Sequence, residues 1–94
     1  MSDLDLRSRP TLAKHVRLQM DPVTGRPVLL YPEGILELNP TAAEIIRHCD
    51  GETRLAAIIT ALATEYDASE EELCVDVFEC VSQLQTRKFV ILAS

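Results

Sequence analysis

The stretch Ile35-Leu36-Glu37-Leu38-Asn39-Pro40-Thr41-Ala42-Ala43-Glu44-Ile45-Ile46-Arg47-His48-Cys49-Asp50-Gly51 contains a change of period. Up to Leu38 the residues alternate, with Leu36 and Leu38 on one face of a strand and Ile35 and Glu37 on the other. Beyond Leu38 the apolar residues Ala43, Ile45, Ile46 and Cys49 follow the spacing of an amphipathic helix. Asn39-Pro40 marks the boundary. Asn is a good helix N-cap, and Pro fits the first turn, where its missing N–H costs nothing. Asp50-Gly51 predicts a glycine C-cap. A strand that passes directly into a helix divides the chain into a β half and an α half.

Upstream, His15-Val16-Arg17-Leu18-Gln19-Met20 also alternates, as a half-buried strand does. Asp21-Pro22-Val23-Thr24-Gly25 follows as a turn. Pro27-Val28-Leu29-Leu30-Tyr31 is apolar on both faces at its centre, which predicts the middle strand. Tyr31-Pro32-Glu33-Gly34 fits a β-turn, with Pro at the second position and Gly at the fourth. Downstream, Thr53 is expected to cap a second helix carrying Leu55, Ile58, Ile59, Leu62 and Tyr66 on one side. Ser69-Glu70-Glu71-Glu72 is a capping box with three acids at the positive end of a third helix. That helix is expected to reach about Arg87, and Phe89-Val90-Ile91-Leu92 is an apolar tail that must be buried. The predicted class is α+β: a three-stranded antiparallel β-meander followed by three helices, in a winged helix-turn-helix-like arrangement. Residues 1–14 are polar and read as a flexible N-terminal arm, and residues 15–94 as a single domain.

Composition narrows the function. The chain has 94 residues, with 15 Asp plus Glu against 9 Lys plus Arg and a net charge of −6. That balance opposes phosphate-backbone binding, and with no Trp there is little to stack bases on. No apolar run spans a membrane. Cys49, Cys74 and Cys80 form no Cys-x-x-Cys pair, so they predict reduced thiols in a cytoplasmic protein, without a disulfide framework. No metal site is expected. His48 and Cys49 are sequence neighbours that diverge on a helix, His15 lies on another element, and Cys74 and Cys80 face apart. No nucleophile elbow or phosphate loop is present, so neither an enzyme nor a cofactor is expected. An acyl carrier would need its Ser in an Asp-Ser-Leu setting, whereas Ser69 lies in Ala68-Ser69-Glu70.

The third helix points to a different role. Leu73, Val77, Cys80, Val81 and Leu84 form one stripe. Cys74, Val75, Phe78 and Ser82 form an adjoining sector, and Asp76, Glu79, Gln83, Thr86 and Arg87 fill the remainder. Either the helix is buried on two sides by its own chain, or one sector is left for a partner. The third strand, if the meander runs in order, is an edge with one charge and no proline, poorly defended against pairing. An extended peptide could add to it as an extra strand. The same undefended edge permits a homodimer.

The segments Arg9-Pro10…Leu12-Ala13-Lys14-His15-Val16-Arg17-Leu18, Asp21-Pro22-Val23-Thr24-Gly25-Arg26 and Leu30-Tyr31-Pro32-Glu33-Gly34 resemble the PqqD family. So do Leu38-Asn39, Ala42-Ala43-Glu44-Ile45-Ile46 and Cys49-Asp50-Gly51. The resemblance covers about residues 9–92. It implies a non-catalytic peptide chaperone of pyrroloquinoline quinone biosynthesis. Such a domain binds the precursor peptide as an added strand between the third strand and the third helix, and presents it to a radical SAM enzyme. Carried over by position, the peptide-binding residues would be Ile35, Leu36, Glu37 and Leu38 from the strand, and Val75, Phe78, Glu79 and Ser82 from the helix. One departure is Arg87-Lys88-Phe89, where the family often has a glycine. The alternative reading is a winged-helix DNA-binding regulator. Against it, the third helix carries Glu70, Glu71, Glu72, Asp76 and Glu79 before any Arg or Lys, a pattern that a major groove would repel.

Overall fold

A computed structural model describes residues 4–93. The meander forms as expected. Strand β2 (Arg17–Met20), β3 (Pro27–Tyr31) and β4 (Gly34–Glu37) make an antiparallel sheet in the order β2-β3-β4. The middle strand is the apolar one, with Val28 and Leu29 buried. Asp21 organises the first turn: its carboxylate accepts the Val23 N–H, its carbonyl accepts the Gly25 N–H, and its own N–H reaches the Arg26 carbonyl. Gly25 supplies the positive φ of 73° that this loop needs. Pro32-Glu33 is the two-residue loop between the paired Tyr31 and Gly34.

Helix α1 (Pro40–Arg47) starts where the period changes, and the Asn39 side chain accepts the Ala42 N–H at 2.7 Å. It ends earlier than expected, with His48 as its C-cap. Gly51 is therefore not the C-cap. Its φ of +80° turns the following loop so that its N–H donates to the Pro10 carbonyl. A Cβ there would stand 3.4 Å from that of Thr11. The close approach of this loop to another strand, rather than helix termination, is what requires the glycine.

Helix α2 (Leu55–Tyr66) buries Leu55, Ile58, Ile59 and Leu62, but Tyr66 is exposed. Thr53 does not cap it. The Thr53 N–H and hydroxyl are both spent on the Asp50 carboxylate. The first amides of α2 are met instead by backbone from the N-terminal segment: Leu55 N–H donates to the Ser8 carbonyl and Ala56 N–H to the Leu6 carbonyl. Helix α3 (Glu70–Thr86) opens with the Ser69 hydroxyl accepting the Glu72 N–H. It closes in a Schellman turn, in which Phe89 N–H reaches the Leu84 carbonyl and Lys88 N–H that of Gln85. Lys88 holds the left-handed position at φ 64°, a conformation that favours glycine.

The main departure from the sequence reading is at the chain ends. Strand β1 (Arg9–Leu12) pairs antiparallel with β5 (Val90–Ala93) in a second, two-stranded sheet. Residues 9–12 are thus part of the fold rather than of an arm, while residues 1–3 lie outside the described residues. Pro10 and Val90 are fully buried and Phe89 is buried too, but Ile91, on the outer face of the ribbon, is exposed, so only part of the apolar tail is covered. Phe89 is buried beside Tyr31, ring centres 4.6 Å apart, with the Arg87 guanidinium 4.8 Å from its ring centre. One core joins both sheets to the three helices, through Leu29, Ile45, Leu55, Ile58, Leu62, Val77, Val81 and Val90.

Candidate functional site

The free side of β4 faces α3 across a groove of about 510 Å³. Leu36 and Leu38 of the strand region, Ala42 and Ile45 of α1, and Cys80 and Leu84 of α3 give it apolar lining. Glu37, Asn39 and Thr41 line it from the strand and the helix start, and Asp76, Glu79, Gln83 and Arg87 from α3. The contributors from α3 and its C-cap recur at i, i+3/i+4, i+7/i+8 and i+11, so they form one face of that helix.

The register defines what β4 offers. Leu38 N–H donates to the Pro27 carbonyl, which makes that pair a hydrogen-bonded one. Antiparallel pairs alternate, so Leu36 and Gly34 also bond inward to β3. The backbone N–H and C=O groups of Ile35 and Glu37 therefore point outward, where β4 has no strand neighbour among the described residues. An extended chain lying there meets two donors and two acceptors already spaced as a β-ladder.

The charge of the groove is mostly negative. Asp76 and Glu79 line it from the helix and Glu37 lies at its strand edge, with Arg87 at the end where α3 stops. Glu37 also pairs with Arg26 at 2.7 Å, and this contact holds the Arg26 guanidinium above its ordinary pKa through the hydrogen bond first and the charge second. Both partners are well exposed, so water screens the pair. Burial pushes the Cys80 thiol up. Cys49 is pushed up to about 12, by burial first and then by the neighbouring Cys80 and Asp50. Neither thiol is a thiolate near neutrality, which suits packing rather than nucleophilic chemistry.

The eight residues carried over from the resemblance separate into two groups. Leu36, Glu37, Leu38 and Glu79 line the groove together. Ile35 is on the opposite face of β4, 64% exposed, and reaches the groove edge only through its backbone. Val75 instead lines an apolar hollow with Leu6, Ala56, Ile59 and Cys74, and Phe78 lines another with Leu4, Asp5, Leu6 and Arg7. Ser82 is half-buried, its carbonyl accepting the Thr86 hydroxyl, and lies outside the groove lining. Cys74, Val75 and Phe78 are thus turned toward α2 and the N-terminal segment. That segment caps α2 and lies along part of this side, leaving Val75 65% exposed. Asp76, Cys80, Gln83, Leu84 and Arg87, which that reasoning assigned to the core or the solvated remainder, line the groove instead. Their shared periodicity was visible in the sequence, but the direction in which it points depends on where residues 4–8 lie.

Another set of chemistry-bearing residues lies outside the groove. Glu44, His48 and Glu65 place ligand-type atoms within 4.8 Å of one another. The spacing of Glu44 four residues before His48 on one helix is visible in the sequence, but their meeting with Glu65 of α2 is not.

Comparison with known proteins bears on the whole chain. Residues 27–90 match the family model "Coenzyme PQQ synthesis protein D (PqqD)". A PqqA binding protein of Rhodopseudomonas palustris strain TIE-1 is 41% identical over 83 residues, covering 88% of this chain and 81% of that protein. A PqqA binding protein of Xanthomonas campestris pv. campestris strain B100 is 38% identical over 92 residues, covering 98% of this chain and 100% of that protein. Among solved structures, the NMR structure of the PqqD truncation of Methylobacterium extorquens PqqCD superposes with a TM-score of 0.76 at 28% identity. It covers 87% of each chain and is described as a functional, stand-alone recognition element for ribosomally synthesized and post-translationally modified peptides. The crystal structure of PqqD from Xanthomonas campestris superposes with a TM-score of 0.58 at 36% identity, over 92% of this chain and 96% of that one. With a family model spanning more than half of its residues and relatives near 40% identity along most of their lengths, the chain belongs to the PqqD family.

Proposed function

We propose that this chain is a non-catalytic peptide chaperone of pyrroloquinoline quinone biosynthesis. It binds the PqqA precursor as an added strand on β4 and presents it to a radical SAM enzyme. The observation that carries this reading is the outward-facing backbone of Ile35 and Glu37 beside a groove floored by Leu36, Leu38, Ile45 and Leu84. The edge supplies hydrogen bonds in register, and the floor takes alternate side chains of the incoming strand. The relatives named PqqA binding proteins support the identity of the peptide. The acidic wall of Asp76 and Glu79 favours peptide residues with positive charge facing α3. The same wall gives DNA no purchase, and no observation favours the regulator reading.

The groove residues in this proposal are Leu36, Glu37, Leu38, Ile45, Asp76, Glu79, Cys80, Gln83, Leu84 and Arg87, with Ile35 acting through its backbone. The recognition unit extends from Arg9, because β1 pairs with β5. Three free cysteines fit a reducing, cytoplasmic setting. No helix among the described residues is long and apolar enough to cross a membrane.

The test is an NMR titration of labelled protein with the precursor peptide. Amides of residues 35–38 and of the α3 face from 76 to 87 are expected to shift. Shifts confined to Val75, Phe78 and the N-terminal segment, with residues 35–38 unmoved, would place the peptide in the other hollows and overturn the assignment. Loss of peptide binding as a second copy associates would identify the edge as a dimer surface instead.

A further inference from the structure

Helices α1 and α2 come together near their C-terminal ends. His48 is the C-cap residue of α1, Glu44 lies one turn earlier, and Glu65 is in the last turn of α2. An imidazole nitrogen and two carboxylate oxygens there lie within 4.8 Å of one another. The i, i+4 spacing of Glu44 and His48 stacks them on one face of α1, and Glu65 approaches from a second helix. Glu44 and His48 are half-buried, which restrains their rotamers, while Glu65 is exposed and free to swing inward. The donor atoms around a four-coordinate zinc stand about 3.3 Å apart, so the set has to close by up to about 1.5 Å, a movement within reach of side-chain rotation.

The electrostatics favour a cation at this point. Two carboxylates and an imidazole present a charge that a divalent ion balances. The C-terminal ends of both helices add their negative partial charges, and α2 has no basic residue in its last turn. Arg47 is a countercharge at the cluster: its guanidinium pairs with Glu44 Oε1, so Oε2 is the oxygen left for an ion. A mixed nitrogen and oxygen donor set selects ions of the zinc, manganese and ferrous type over calcium or magnesium, which prefer oxygen alone.

We propose that Glu44, His48 and Glu65 form a three-ligand site for a divalent transition-metal ion, zinc foremost, which braces α1 against α2. Thr41, Ala42 and Ile45 of α1 line the peptide groove, so the brace would steady one wall of it. The proposal does not depend on the identity of the peptide.

The experiment uses the whole chain with its thiols reduced. Zinc binding is followed by calorimetry and cobalt binding by visible absorption. One saturable site is expected, with nitrogen- and oxygen-ligated cobalt bands, no thiolate-to-cobalt charge transfer, and a melting temperature that rises with zinc concentration. His48→Gln and Glu65→Gln should each weaken binding by at least about tenfold. Glu65 is exposed, so its variant keeps the metal-free melting temperature and decides the question if His48→Gln folds poorly. Absence of binding up to about 1 mM zinc, binding that survives the Glu65 substitution, or a thiolate band would each overturn the site.

Discussion

The substitution Ile35→Pro separates strand addition from every other mode of peptide capture. The Ile35 N–H points away from β3, because the inward bonds of β4 are made by Gly34, Leu36 and Leu38. Proline at this position therefore removes an outward donor and no ladder bond of the free protein. The preceding residue is Gly34, whose backbone tolerates the restriction that proline imposes on its neighbour. Ile35 is 64% exposed, so little packing is lost. The stability change should stay within about 1 kcal/mol. The bound peptide loses one N–H to C=O bond, about 0.5–1.5 kcal/mol, and its carbonyl is left against the pyrrolidine ring, bringing the total to about 1–3 kcal/mol. That corresponds to a roughly 5- to 150-fold weaker peptide complex. Ile35→Ala is the control, since it trims the side chain and keeps the N–H. Calorimetry or fluorescence anisotropy with the precursor peptide gives the affinities, and urea unfolding gives the stabilities. Equal affinities for the Pro and Ala variants would show that the β4 edge does not pair with the peptide.

Three further outcomes are expected. Lys88→Gly should stabilise the protein by about 0.5–1 kcal/mol, because relief of the left-handed backbone at φ 64° exceeds the extra flexibility glycine brings to the unfolded chain; a lower urea midpoint for the variant would contradict this. Deleting residues 1–8 strips two carbonyl caps from α2 and should cost about 1–3 kcal/mol, read as a lower melting temperature with the fold retained; an unchanged melting temperature would show the caps are replaced by water at no cost. The Asp50 carboxyl is held below its ordinary 3.8 by the backbone N–H groups of Glu52 and Thr53 and by the Thr53 hydroxyl. Its contribution is complete above 3.8 and lost as pH falls through the lower folded value. A carbon-detected NMR titration of Asp50 with a midpoint at or above 3.8 would refute that account.

The local features were legible in the sequence because local rules control them. Asn39 caps α1, Ser69 caps α3, and the period-two runs form the meander with β3 in the middle. The misreadings share a cause in contacts between residues far apart in the chain. Arg9–Leu12 has no strand character of its own, and its partner lies at Val90–Ala93. Thr53 looks like a cap until Asp50 claims it, and Gly51 looks like a helix stop until Pro10 is seen beside it. The edge strand was identified from its own residues. The helix face opposite it was not, because the sector carrying Val75 and Phe78 lies beside α2 and the N-terminal segment, away from the β4 edge. The cluster of Glu44, His48 and Glu65 needed the crossing of two helices, which no spacing within one helix reveals.

The β1–β5 ribbon also governs the order of folding. Its register joins Arg9 to Ala93, so the pairing closes a loop of more than eighty residues. Closing such a loop in a disordered chain costs about 4 kcal/mol in entropy alone, against the return from one four-residue ladder. The ribbon is therefore too weak to nucleate, and the meander and helices, whose contacts are nearer in sequence, must shorten the effective loop first. On a ribosome, β1 waits for nearly the entire domain to emerge before its partner arrives. During that interval the first turn of α2 lacks an anchored cap, and the unpaired β4 edge already stands exposed.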